Sequence, residues 1–181
     1  MILDRLLMFT GTASGQVGAP ASGPLTDLAV VGPSSNTIDL HILGLPVLLA
    51  GQGARDLGIG DDPAMKMLIQ VTAAGAAGPF QVALAGAPDN GAGAPGTFVD
   101  WWLSPAYATA ALGLGSRLYD MDLPRPPAGV VEPRFLRLDY IAAGTGVNIH
   151  ASIVIDRHDQ FYNATANNVL GGYRAGVIVT N

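Results

Sequence analysis

The chain contains no cysteine, a single lysine (Lys66), and few charged residues, 13% of its 181 positions. Without cysteine, disulfides and thiolate zinc sites are excluded, and no thiol can act as a nucleophile. One lysine in a chain of net charge −5 argues against a nucleic-acid groove, which needs clustered basic side chains. No apolar run reaches the roughly 18–20 residues of a membrane span. The opening MILDRLLMFTGT has an early acid and no small-residue cleavage site after a long apolar region, so it does not read as a signal peptide. The expectation is a soluble protein that stays in the compartment where it is made.

What the chain has is glycine (24) and proline (13), with alanine supplying much of its 49% hydrophobic content. Low charge, many turn-formers and short β-branched runs favour a sandwich or barrel over a helical bundle. The length suits one domain with a sizeable core. Its clearest stretch is Arg134 to Gln160. Leu136, Leu138 and Tyr140 alternate with Arg137 and Asp139, and Val147, Ile149, Ala151, Ile153 and Ile155 share a face after the small linker 142–146. That pattern predicts a β-hairpin.

Further strands are expected over 36–43, 65–72, 79–84, 97–103, 116–123 and 175–180, with a short one at 26–31. Met1 to Phe9 reads as an edge strand or anchoring arm. In 97–103, Trp101 and Trp102 fall on opposite faces, and the outward one is an interface candidate. Gly11–Pro24, Gly51–Pro63, Gly86–Gly96 and the proline-rich 124–133 read as loops or stiff connections, and 104–115 as a loop with room for one helical turn. About eight or nine short strands without an internal repeat predict an antiparallel β-sandwich or jelly roll.

Chemistry-bearing clusters are few. Asp156-Arg157-His158-Asp159 is the densest polar group, and Asp39/His41 or Asp61/Asp62 are the partners a metal or acid–base site would draw on. A solvated strand end explains it as well, and His41 and His150 read as surface histidines. Gly51–Asp56 lacks the Gly-Lys-Ser/Thr ending and βαβ context of a phosphate loop. No Gly-x-Ser-x-Gly elbow occurs. Catalysis and bound metal or cofactor are therefore not expected.

Several phrases, in order, resemble a family of tailed-phage capsid cement (decoration) proteins. They are Met1-Ile2-Leu3-Asp4, Ser35-Asn36-Thr37-Ile38-Asp39-Leu40, the loop Ala54 to Asp62, Phe135-Leu136-Arg137-Leu138-Asp139-Tyr140, and the run ending Ile155-Asp156-Arg157. The resemblance covers residues 1 to about 160. Residues 10–35 are longer than the family's usual opening, and 161–181 extend past its usual end.

The resemblance implies an all-β, antiparallel jelly-roll sandwich of about eight strands with irregular N- and C-terminal arms. The expected divisions are an arm and first strand over 1–35, a core over 36–160 and an extension over 161–181. The implied role is structural: binding the outer surface of an icosahedral head, between major capsid subunits, with no catalysis. The expected partners are the major capsid protein and the chain itself, as a trimer or alternatively a dimer. The expected place is the virion, after synthesis in the host bacterial cytoplasm. Interface candidates are Met1, Ile2, Leu3, Trp102, Phe161, Tyr162 and Tyr173. The alternative is a carbohydrate-binding or tailspike-like module for host attachment, and a polysaccharide-cleaving enzyme comes third. The tail, 161–181, is expected to add a strand to its own sandwich or to a neighbour's sheet edge.

Overall fold

The computed structural model describes residues 2–11, 26–41, 64–156, 161–163 and 168–170. Its strands are β1 (Ile2–Met8), β2 (Asp27–Leu28), β3 (Gly32–Pro33), β4 (Ile38–Asp39), β5 (Ala64–Ala73), β6 (Ala77–Ala87), β7 (Val99–Leu103), β8 (Arg117–Asp122), β9 (Phe135–Thr145) and β10 (Asn148–Asp156), followed by the short pair β11 (Phe161–Asn163) and β12 (Asn168–Leu170). A 3₁₀ turn at Thr109–Ala111 is the one-turn helix that the sequence left room for.

Two antiparallel sheets of five strands each form the sandwich. One runs β1-β10-β5-β8, with β2 also pairing β10; the other runs β3-β9-β6-β7, with β4 also pairing β9. β3 and β4 both border β9, and Ser34 between them donates its N–H to Leu138 O. They act as one interrupted strand. β1 and β2 likewise share one border of β10, bridged where Phe9 and Thr10 donate to Ala151 O. Counted by position, the chain fills the sheets in the order 1-8-3-6 and 2-7-4-5. Of the connections between these positions, only β6 to β7 stays within a sheet. This is a jelly roll.

The core lies between the inner faces. β5 supplies Met67, Ile69 and Val71, and β9 supplies Leu136, Leu138 and Tyr140, all buried. These are the residues whose period-2 alternation marked them in the sequence, each side chain stabilising by about 1.5–3 kcal/mol on burial.

The expected hairpin over 134–160 is corrected. β9 pairs β6, while β10 pairs β1, β2 and β5, so the two strands lie in opposite sheets. Gly144 and Gly146 both adopt positive φ, letting the chain turn a corner between sheets. Alternation shows that each strand has one buried face; it does not say whether those faces lie side by side or across a core.

Other expectations shift. The strand at 79–84 extends to Ala77–Ala87, and within the described residues 36–41 the strand is Ile38–Asp39, followed by a turn at Leu40–His41. The stretch from Phe161 forms a small antiparallel ribbon, with Phe161 opposite Leu170 and Tyr162 opposite Val169. β1, β2 and β3 place the described part of 1–35 within the two sheets. The glycine-rich segments 12–25 and 51–63, and the strand expected at 175–180, lie outside the described residues.

Candidate functional site

The most distinctive surface lies where the chain crosses from β2 in one sheet to β3 in the other. Along 27–30 burial alternates, but with inverted chemistry. Asp27 and Ala29 point inward and are buried, whereas Leu28, Val30 and the following Val31 are between 59% and 67% exposed. Ile141, 44% exposed, follows Tyr140, the β9 partner of Gly32.

Asp27 explains the inversion. One carboxylate oxygen accepts from Gly11 N–H at 3.0 Å and from the Ser35 hydroxyl. The other accepts from Ser35 N–H at 2.9 Å and from the Tyr140 hydroxyl at 3.0 Å. With four donors converging on it, the buried carboxylate is well satisfied. It ties the end of β1, the β3–β4 segment and β9 together. Because strand parity is fixed by Asp27 pointing in, the intervening apolar residues must point out. Tyr140 is pushed well above the ordinary tyrosine range, first by burial, then by the Asp27 charge and its hydrogen bond, so it remains a donor. The adjoining cleft, about 280 Å³, is lined by Asp27, Leu28, Val30, Pro33, Ser35 and Tyr140, among others. Its polar floor is engaged by the protein's own chain, and its rim is apolar.

The residues singled out in the sequence are dispersed. Ile2 and Leu3 lie in β1 opposite Ile155 and Val154. This strand adjoins β4, with Asn36 of the β3–β4 segment donating to Met8 O at 2.8 Å. Trp102 sits in β7, at the other edge of its sheet from β3. Phe161 and Tyr162 are in β11, while Met1 and Tyr173 lie outside the described residues.

Neither tryptophan is exposed, which corrects the expected one-in, one-out arrangement. Leu84 pairs Trp102 and Ala85 pairs Asp100, leaving Trp101 as an extra residue in β7. The bulge breaks the alternation. Both indoles then pack against the core, Trp101 donating to Pro124 O at 3.1 Å and Trp102 lying edge-on to Tyr119 at 4.8 Å.

The polar candidates have local partners. Asp39 is 1% exposed and binds Arg134 through both oxygens, at 3.0 and 2.8 Å, while Oδ1 also accepts from His41 N–H. The His150 ring lies 3.2 Å from the Ser152 hydroxyl. Residues 157–159 and the Asp61/Asp62 pair lie outside the described residues. Among the described residues no three acids or histidines are grouped to hold a metal, and no helix is long and apolar enough to cross a membrane. Comparison with family models and with curated proteins finds no match for this chain.

The crossing at 28–31 was missed because hydrophobic patterning alone places Leu28 and Val30 inside. Only the partners of Asp27, drawn from Gly11, Ser35 and Tyr140, set the opposite parity.

Proposed function

We propose that this protein is a capsid cement protein, a non-catalytic jelly-roll module that binds the outside of a tailed-phage head and joins neighbouring major-capsid subunits. The observation that carries the reading is the apolar crossing Leu28-Val30-Val31, held outward by a fully engaged Asp27. Apolar groups grouped on a surface are the usual centre of a protein interface. An extended apolar rim beside a cleft suits contact with another protein, where area and shape matter more than chemistry. Supporting it, four of the five phrases that resemble the cement family fall on β1, β4, β9 and β10, strands that meet on this side of the sandwich, and the fifth, Ala54 to Asp62, lies outside the described residues. A trimer set on a threefold axis of the shell is the assembly proposed, since it repeats the contact by symmetry.

The test is co-sedimentation with emptied phage heads stripped of their own decoration. The native protein is expected to pellet with heads, and V30D/V31D to stay in the supernatant with an unchanged thermal midpoint. A native protein that does not pellet, or a variant that pellets equally well, overturns the proposal. Light scattering should report three copies per particle of free protein.

A further inference from the structure

The loop that joins β6 to β7 carries the chain's single Asn-Gly pair, Asn90-Gly91. Asparagine before glycine is the pair best placed to lose its side-chain amide, because glycine has no side chain to keep its nitrogen away from the neighbouring amide carbon. Both residues are exposed, so water reaches them. Yet every main-chain N–H from Asn90 to Ala94 is engaged within the loop. Asn90 N–H donates to Ala94 O at 2.9 Å. Gly91 and Gly93 donate to Asp89 Oδ1 at 2.8 and 3.0 Å, and Ala92 and Ala94 donate to Asn90 Oδ1 at 2.8 and 3.4 Å. The other Asp89 oxygen accepts from Arg134, which also binds the buried Asp39. Gly91 and Gly93 hold φ at 88° and 76°, the curl that turns these N–H groups toward two acceptors.

Two effects oppose each other at Asn90. The donors on Oδ1 draw charge from the amide carbon and favour attack on it. The attacking group, however, is the Gly91 nitrogen stripped of its proton, and that N–H points at a carboxylate. An anion forming there would stand against the Asp89 charge at hydrogen-bond distance. Nor can Asp89 take the proton. Its carboxyl is held below the ordinary carboxylate range, first by the Gly91 hydrogen bond, so it is far too weak a base for a main-chain amide. The closed loop therefore withholds the nucleophile, and a polarised carbon has nothing to receive.

We propose that Asn90-Gly91 is a self-modification site held closed by Asp89, which converts when this loop opens. Once the Gly91 N–H leaves the carboxylate and gives its proton to hydroxide, the nitrogen attacks Asn90 Cγ. The N–Cγ bond forms, the Cγ–Nδ2 bond breaks, and ammonia departs with a proton from water, leaving a five-membered succinimide. Water then opens the ring. Attack at Cγ leaves aspartate at position 90, and attack at the main-chain carbonyl routes the chain through the side chain as isoaspartate. The net change is amide and water to carboxylate and ammonium. Either product sets a second carboxylate beside Asp89. Isoaspartate also lengthens the backbone, so the N–H groups of 91–94 no longer meet both acceptors. The conversion marks chains whose loop has opened, and it disturbs the carboxylate that Arg134 holds at the end of β6.

Peptide mapping by mass spectrometry tests this, with the full chain incubated in mildly alkaline buffer, with and without urea. Conversion at Asn90 should be about tenfold or more slower in the folded chain than in the unfolded one, since only the open fraction reacts. D89A removes the acceptor of Gly91 and Gly93. It should speed conversion in the folded chain severalfold while amide exchange in β10 stays unchanged, which separates loop opening from global unfolding. Folded and unfolded chains that convert at equal rates, or a folded D89A chain as slow as the native one, overturn the proposal. Should D89A fail to fold or loosen β10, D89N decides, because it keeps an acceptor and loses the charge. Conversion at Asn90 faster than in the native chain supports the proposal, and the native rate refutes it.

Discussion

At Gly86 an added Cβ would stand 2.1 Å from Trp101 Cζ3 and 2.8 Å from Pro133 Cβ. The indole cannot swing away freely, because its N–H is bound to Pro124 O. G86A should therefore displace Trp101, break that hydrogen bond and cost about 1–3 kcal/mol, the usual range for overpacking. A urea titration gives the loss, and a shift in tryptophan emission shows which side chain moved. Tyr140 makes a second prediction. Its raised affinity for its proton means that stability is complete below about pH 10, where an unfolded tyrosine ionises. It declines as pH rises from there toward the folded titration. Y140F removes both the hydrogen bond to Asp27 and this slope. It should be less stable by about 1 kcal/mol near neutrality and lose less than the native protein between pH 10 and 12, measured by thermal melting. An equal loss in both proteins would rule this account out.

Among the elements, β4 is only two residues long, yet it is fixed to the start of β9 by the two-pronged contact between Asp39 and Arg134. Arg134 also reaches Asp89, beyond the end of β6, so three segments share one guanidinium. R134A leaves a nearly inaccessible carboxylate unpaired. The expected cost is about 3 kcal/mol, the low end for a buried pair because Arg134 itself is 20% exposed. R134K should recover part of it, since an ammonium cannot reproduce the planar fork. Denaturant midpoints of the two variants check the ranking. This clamp was not legible in the sequence, where Asp39 read as a possible partner for a metal or acid–base site and Arg134 as the first residue of a hairpin stretch. What was legible were the long strands with one inward face, buried in 65–72 and in both halves of 134–156 and half-buried in 116–123. Their pattern is local and repeats every second residue. Pairing partners are not local, so the corner at Gly144–Gly146 passed for a hairpin connection. The two-residue strands β2 and β3 had too little length to show a period at all. At 27–31, where polarity and orientation disagree, the deciding hydrogen bonds include one from Tyr140, far along the chain.

For the whole molecule, the dominant fact is how distant in sequence its neighbours are. Thr10 and Ala151, 141 residues apart, exchange hydrogen bonds, and nearly every long strand pairs with one from elsewhere in the chain. Such contacts require large loops to close before they stabilise anything. Refolding followed by tryptophan fluorescence in a stopped-flow instrument is expected in the millisecond-to-second range typical of sandwiches. A microsecond phase carrying the full amplitude would contradict the described topology.

The same topology has a mechanical side. Ile2 faces Ile155 and Leu3 faces Val154, so β1 and β10 are antiparallel neighbours that can be gripped from one end of their shared border. A tension applied there, between residues 2 and 156, would load the rungs one after another, as a zipper opens, and never all together. Resistance to pulling in that direction is set by a single rung at a time, whereas a force drawing β1 lengthwise past β10 would have to shear every rung at once.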